Sequence, residues 1–409
     1  MSQQIRQKRR QPRREIVAGA VGLIALFAAA CGSSGGSSSG GGGSAPTKTI
    51  SVGVVVERTG ASPLTGEYEA IDSYFKNADA HGGINGYKVN VIGFDSQGSP
   101  QTNSADVTQL IQQDHVPVII DEDEQGSPAA YPIAEAAKVP MVGGYSEPPR
   151  FYNKYLFPNA AYYEAATAVA ASKVFAEAGI KKAAIVTINV PTGVQAANLF
   201  AKDLPADGVQ VAENVVYPPT QSDWTGYAAK VISSGADGVF NIGTENAGVG
   251  LLKALQQQGW NGTKYYFPEL EPGLAAATGS YGDGKVITTS ALLTLPSNAA
   301  EQAAVKQYYP GVDPTQSLAV DGWTDAEIVA QAIKNLGSKA ATSANILAAL
   351  QSFKNWTGTF TPPITYGTGN HTNPSQCIQV QEQMNGTFTT FNSKRSVCWN
   401  GSIAPPNPS

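Results

Sequence analysis

Residues 48–95 read KTISVGVVVERTGASPLTGEYEAIDSYFKNADAHGGINGYKVNVIGFD. Residues 49–56 are β-branched at nearly every position, which is typical of a strand buried on both faces. Gly66–Ala80 has apolar residues at helical spacing, which predicts a helix. The glycines in residues 81–86 end that helix, and the sequence of residues 89–95 predicts a second strand. Strand, helix and strand in this order indicate a βαβ unit with parallel strands and a right-handed crossover.

The same alternation of strands and helices continues along the chain. A length of 409 residues suggests two domains. We therefore predict an α/β protein with two doubly wound lobes, the second built like the first. Further strands are predicted at 116–120, 140–143, 156–157, 182–188, 209–217, 238–242, 265–267 and 285–289, and helices at 101–114, 127–137, 162–178, 192–204, 223–233, 247–258, 298–308, 320–335 and 343–350.

The first unit also resembles a known family. A strand, then Thr59-Gly60, a helix and the sequence GGINGYKVNVIGFDSQGSP (82–100) are similar to the branched-chain amino-acid type of extracytoplasmic solute-binding protein, the receptor component of ABC importers. The resemblance extends from about Thr49 to about Gly337. It implies a type I periplasmic-binding-protein fold, in which two lobes joined by a three-strand hinge close around a ligand like a Venus flytrap. Its expected boundaries are 48–158 plus 290–358 for lobe 1 and 159–289 plus 359–403, with the C-terminal hairpin, for lobe 2.

The resemblance assigns ligand contacts to the loops that follow strands, where open parallel sheets bind ligands. The family's carboxylate-binding loop carries small hydroxyl residues, but here Asp121–Glu124 (DEDE) takes their place. Carboxylates repel an anion and attract an ammonium group. This run therefore favours amines, cationic amino acids or amides as ligands, whereas the family favours aliphatic amino acids. Alternatively, the run lies at a solvated rim and does not contact the ligand. The expected ligand-binding residues are Thr59, Glu124, Gln125, Ser127, Tyr145, Ser146 and Glu147 in lobe 1 and Thr192, Glu245, Glu269 and Glu271 in lobe 2.

Catalytic and cofactor motifs are missing from the sequence. It contains no H-E-x-x-H, G-x-S-x-G or C-x-x-C, and the isolated His81, His115 and His371 are expected at surfaces or helix ends. Residues 279–285 (GSYGDGK) resemble a phosphate-binding loop, but Val286 stands where Ser or Thr is needed, and a strand follows instead of a helix. Residues 121–126 resemble the start of a calcium-binding loop, but Pro132 stands at the position where such a loop needs its closing Glu. We predict a binding protein without catalytic residues, cofactor or resident metal.

The N-terminus has the pattern of an export signal. Six basic residues precede the uncharged run Ile16–Ala30, which at about 22 Å is too short for the roughly 30 Å bilayer core. Small residues before Cys31 resemble a bacterial lipobox, and Gly32–Gly43 is a flexible Gly/Ser tether. We predict a signal peptide over 1–30, lipidation of Cys31 and a tether over 31–47. One alternative is an ordinary signal peptide that is cleaved near this position. Another is export by the twin-arginine route, because Arg13-Arg14 precedes the apolar run.

The rest of the chain, after residue 30, has a net charge of −10, which argues against a nucleic-acid partner.

The two remaining cysteines flank a predicted hairpin. Cys377 and Cys398 enclose two runs in which apolar and polar residues alternate. The runs are joined by Asn385-Gly386, a strong signal for a two-residue hairpin turn. In an exported chain these cysteines are expected to pair, and closing a loop of this size stabilises by roughly 3 kcal/mol on the chain-entropy model. Residues 404–409 form a Pro-rich tail.

These features predict a lipid-anchored solute-binding protein, extracytoplasmic at the bacterial membrane surface or in the periplasm. Its partners would be a small-molecule ligand, an amino acid or an amine-like solute, and the permease subunits of an ABC importer. Two alternatives stay open: a ligand-sensing receptor domain of the same fold, and a secreted α/β hydrolase, against which the missing nucleophile motif argues.

Overall fold

The computed structural model describes residues 48–60, 63–123, 125–144, 148–161, 163–268, 273–290, 299–315, 317–371, 374–393 and 396–401. The signal, Cys31 and the tether therefore lie outside the described residues, as does the tail. Within these ranges, no helix combines the length and the apolar character needed to cross a membrane.

The first sheet is a five-stranded parallel sheet with the order β2-β1-β3-β4-β5. Helices α2 and α3 pack on one face, while α1, α11 and α12 cover the other, so both faces are buried. Residues from the C-terminal part, including Ile364 and Tyr366, complete the second of these cores. The elements are β1 Lys48–Val56, α1 Glu67–Ala80, β2 Tyr87–Asp95, α2 Pro100–Gln112, β3 Ile119–Glu122, α3 Ser127–Ala137, β4 Met141–Val142, α4 Pro148–Phe151, β5 Leu156–Phe157, α10 Ala299–Tyr308, α11 Ser317–Asn335 and α12 Ser343–Gln351.

The second sheet repeats this order. It runs β7-β6-β8-β9-β10, all parallel, and is extended by the antiparallel strands β11 and β12, with β13 paired to β11. The prediction of two similar doubly wound α/β lobes is thus confirmed. The elements are α5 Tyr163–Glu177, β6 Lys182–Ile188, α6 Pro191–Ala206, β7 Gln210–Tyr217, α7 Thr225–Ser233, β8 Gly238–Ile242, α8 Glu245–Gln257, β9 Lys264–Phe267, α9 Leu274–Thr278, β10 Val286–Ser290, β11 Cys377–Met384, β12 Thr387–Thr390 and β13 Val397–Cys398.

The predicted hairpin and its disulfide are present. Asn385 and Gly386 both have positive φ, 53° and 74°, as a tight hairpin turn between right-twisted strands requires. Cys377 and Cys398 are directly opposite in the β11–β13 pair and form a disulfide across 21 residues. The pairing of the two cysteines is therefore confirmed.

The strand predicted at 116–120 lies later in the chain. The structure places β3 at Ile119–Glu122, so the first two acids of the acidic run belong to the strand itself. Asp121, Glu122 and Asp123 are all buried. For these three residues the solvated-rim interpretation is wrong, because the parallel sheet, covered on both faces, extends through Asp121 and Glu122, and Asp123 is buried directly after it.

The histidine expectation holds for two of three residues. His81 and His115 are exposed near helix C-termini, but His371 is buried, with its ring 4.5 Å from that of Phe157 and 5.2 Å from that of Tyr366. Burial lowers the pKa of His371 to about 4, and a hydrogen bond with the main chain of Lys154 opposes the shift. The surface assignment of His371 was wrong because its apolar partners come from distant parts of the chain.

Candidate functional site

Each sheet reverses its strand order at one point, and polar loops follow the strands there. In lobe 1 the reversal lies between β1 and β3, and in lobe 2 between β6 and β8. In open α/β sheets, ligands bind beyond the carboxyl ends of the strands at such positions. The candidate site is therefore built from the loops after β1 and β3 and after β6 and β8.

The loop after β1 is held by Asp95 at the end of β2. The amides of Arg58 and Thr59 donate to Asp95 Oδ1 at 3.0 and 3.1 Å, and Thr59 Oγ1 donates to Oδ2 at 2.6 Å. Burial raises the pKa of Asp95, but these bonds, with one from the Gln97 amide, outweigh it and leave the pKa below its usual value. Thr59 is exposed, and its hydroxyl oxygen can still accept a bond from a ligand.

Arg58 was not anticipated from the sequence. Its guanidinium lies 4.1 Å from the centre of the Tyr68 ring and pairs with Glu69 at 3.1 Å, while the side chain stays exposed. The cation therefore stands at the same edge of lobe 1 as Thr59. A positive charge here favours ligands that carry a carboxylate.

In the loop after β3, acidic side chains accept hydrogen bonds from the loop's own residues. Asp123 Oδ1 accepts the amides of Gln125 and Gly126 at 3.0 and 2.8 Å, which shapes the turn into α3. Ser127 Oγ donates to Asp121 Oδ1 at 2.8 Å and accepts the Asp123 amide at 3.2 Å. Ser127 is fully buried, whereas Gln125 is exposed. Of these two predicted ligand contacts, Gln125 is the one open to solvent.

Glu122 points to the opposite face of β3 and meets other buried acids. Its Oε1 accepts the Gly144 amide, and its carboxylate oxygens lie close to those of Glu67 and Asp325. Burial, and then the negative charges of Asp325 and Glu67, raise the pKa of Glu122 well above its usual value, while Arg150 opposes the shift. This buried cluster was not predicted, because Glu67, Glu122 and Asp325 are far apart in sequence.

Arg150 is a fully buried cation at the end of β4. Its Nε donates to Tyr131 Oη at 2.7 Å, and its terminal nitrogens donate to the main-chain oxygens of Gly143 at 2.7 Å and Asp121 at 2.5 Å. The guanidinium thus joins the ends of β3 and β4. It gives lobe 1 a rigid edge, which a ligand loop needs.

Lobe 2 contributes two helix N-termini. Thr244 caps α8, with Oγ1 accepting the Ala247 amide at 3.4 Å, and the predicted contact Glu245 is the half-buried first residue of that helix. Helix α6 begins at Pro191, so Thr192 lies in its first turn; its side chain is not described. Helix N-termini favour negative groups, which suits an anionic part of a ligand.

Trp323 packs edge-to-face on Tyr74, with ring centres 4.8 Å apart, and belongs to the core of lobe 1. Six predicted ligand residues are outside the described part of the chain: Glu124, Tyr145, Ser146, Glu147, Glu269 and Glu271. The site residues therefore stay a prediction.

Comparison with known proteins identifies the family. A family model for periplasmic binding proteins matches residues 49–387. No protein with a curated description matches the chain significantly. The resemblance recognised in residues 49–100 is thus confirmed by a match over most of the chain.

Solved structures share the fold at low sequence identity. The leucine-binding protein LivK from Thermotoga maritima is 20% identical, with a TM-score of 0.62 over 87% of this chain and 99% of its own. LivJ from Streptococcus pneumoniae, in complex with isoleucine, is 17% identical, with a TM-score of 0.65 over 88% and 100%. An R. palustris solute-binding protein in complex with 4-hydroxybenzoate is 23% identical, with a TM-score of 0.64 over 88% and 99%. With two α/β lobes of the same strand order and a family match over residues 49–387, the chain belongs to the periplasmic binding protein family.

Proposed function

We propose that this protein is the substrate-binding lipoprotein of an ABC importer. It captures an amino acid or a related small polar or zwitterionic solute between its two lobes by hinge closure, and delivers it to permease subunits. No bond is broken, so it is not an enzyme. The lipid on Cys31 holds it at the outer face of the membrane, and the Gly/Ser segment before Ser44 supplies the reach to a permease.

The duplicated sheet order is the observation that carries this proposal. Each lobe has one strand-order reversal with polar loops at the carboxyl ends of its strands, as a clamp that holds a ligand from two sides requires. Four of the residues open to solvent at these ends offer a charge or hydrogen-bonding groups: Arg58, Thr59, Gln125 and Thr244. Such groups orient a small polar ligand.

The ligand is expected to carry a carboxylate. Three of the four acids that would repel an anion, Asp121, Glu122 and Asp123, are buried and engaged inside lobe 1, and Arg58 adds an exposed cation. Two of the similar solved structures hold isoleucine and 4-hydroxybenzoate, both of which carry a carboxylate. Glu124, Glu147, Glu245, Glu269 and Glu271 remain candidates for an ammonium group on the same ligand.

A ligand screen tests this function. The compact unit Ser44–Ser409 would be heated with aliphatic, acidic and basic amino acids, aromatic carboxylates and polyamines at about 1 mM. A micromolar ligand at that excess should raise the melting temperature by several degrees. A carboxylate hit, with closure seen as a smaller radius of gyration in solution scattering, supports the proposal. Stabilisation by no solute in the panel counts against it, and stabilisation by polyamines alone overturns the carboxylate assignment.

Two neutralising variants test the predicted ammonium contacts. Glu124→Gln and Glu147→Gln should each weaken binding of a zwitterionic ligand by about tenfold, because a charge-assisted hydrogen bond is lost. Binding of a carboxylate without an amine should be unchanged, and Asp207→Asn, on the surface near Lys173, should affect neither ligand. Unaltered affinities in both Glu variants, measured by calorimetry, would exclude these two residues from the site.

A further inference from the structure

We propose that Glu67, Glu122 and Asp325 form a site for a divalent, oxygen-preferring cation inside lobe 1. The three side chains are buried, whereas the proposed ligand contacts Thr59 and Gln125 of the same lobe are exposed, and the cation site does not depend on the transport function. It consists of the first residue of α1, the last residue of β3 and a residue in the middle of α11. The cation would join three elements that are far apart in sequence.

The geometry suits a shared ion. One carboxylate oxygen from each residue lies within 4.8 Å of the other two. Oxygens that bind one Ca²⁺ ion, each about 2.4 Å from it, are at most about 4.8 Å apart, so the spacing of these three oxygens stays within the limit for a shared ion. Hard carboxylate oxygens are the ligands that Ca²⁺, Mg²⁺ and Mn²⁺ prefer.

A fourth oxygen donor lies at the edge of the cluster. Asn159 is fully buried, and its Nδ2 donates to Asp325 Oδ1 at 3.0 Å. Its Oδ1, bonded to the same carbon as Nδ2, has no hydrogen-bond partner among the described residues. A buried amide oxygen without a donor costs about 1–3 kcal/mol, and an amide carbonyl is a usual ligand for calcium. This oxygen is an observation independent of the three acids.

The charge balance also favours a divalent ion. Glu67 and Asp325 are at most 1% exposed and Glu122 is 6% exposed, while Arg150 is the cation that acts on Glu122. With all three carboxylates ionised, they and the guanidinium carry two net negative charges in a buried region, where uncompensated charge costs several kcal/mol. One divalent cation would neutralise them. The competing arrangement is a proton shared between Glu122 and Asp325, and a proton-bridged pair binds no ion.

Calorimetry on the purified full-length chain decides between the two. After chelator treatment and dialysis at pH 7.5, the protein would be titrated with CaCl₂, MgCl₂ and MnCl₂. The proposal expects saturable binding of one ion per chain, and a melting temperature several degrees higher at 1 mM of that ion than with chelator. No saturable binding of any of the three ions overturns it, and this result does not depend on any variant folding.

Variants locate the site. Glu122→Gln and Asp325→Asn should each weaken ion binding by at least about tenfold, since a charged ligand atom becomes neutral. Glu327→Gln is the matched control, because it removes an acid from the same helix whose carboxylate instead accepts bonds from Thr359 at 2.7 and 2.9 Å. It should bind the ion like the wild type. Wild-type affinity in both cluster variants would place the ion elsewhere and overturn the assignment.

Discussion

Replacing Arg150 with methionine is expected to lower the free energy of unfolding by about 3–5 kcal/mol at pH 7. The substitution removes three hydrogen bonds, to Tyr131 Oη and to the main-chain oxygens of Gly143 and Asp121, and leaves these acceptors buried without that donor. Each such group costs about 1–3 kcal/mol. The cation that offsets the charge of Glu122 is lost as well. Urea unfolding followed by fluorescence measures the change.

Two further variants separate geometry from charge. Arg150→Lys keeps the positive charge, but a lysine side chain lacks the planar fork that reaches three acceptors. We therefore expect its loss of unfolding free energy to lie between zero and that of Arg150→Met. Arg58→Met is the matched surface control, because Arg58 is an exposed cation with an aromatic and an acidic neighbour, and it should cost at most about 1 kcal/mol. If Arg150→Met costs no more than Arg58→Met, the buried guanidinium does not hold the edge of lobe 1.

Local signals in the sequence were sufficient for most of the fold. Helix α3 begins and ends at the predicted residues, Ser127 and Ala137, because Pro128 suits the first turn of a helix and the apolar spacing is regular; Gly126, not Ser127, occupies the N-cap position. The turn at Asn385-Gly386 was equally clear, since few residues tolerate positive φ. The two doubly wound lobes with parallel strands followed from the strand–helix alternation, whereas the order of the strands within each sheet was not predicted.

The candidate site was less predictable, because burial depends on tertiary packing. Asp121, Glu122 and Asp123 look like a solvated run, but the first two belong to β3 of a sheet that helices cover on both faces, and Asp123 is buried directly after the strand. Arg150 lies in the four-residue helix α4, which has no periodic signal, and its acceptors come from three other segments. Cationic and acidic side chains are rarely fully buried, so amino-acid composition does not predict which of them will be.

Acidification is expected to destabilise the protein through His371 by about 3 kcal/mol. Its pKa is 6.5 in the unfolded chain and about 4 in the folded one, mainly because the ring is buried. The unfolded state therefore binds the additional proton between these values. This contribution to stability is complete above about pH 6.5, falls by about 1.4 kcal/mol per pH unit as the pH drops, and is fully lost below about pH 4.

A comparison of two histidine variants isolates this effect from the acids of lobe 1. His371→Leu fills the space between Phe157 and Tyr366 with an apolar group that cannot be protonated, so its unfolding free energy should fall less steeply between pH 6.5 and 4. His115→Leu, at an exposed position, should keep the wild-type slope. The acids titrate equally in all three proteins, so only the differences between their urea curves matter. Parallel curves for wild type and His371→Leu would show that the ring is not held neutral by burial.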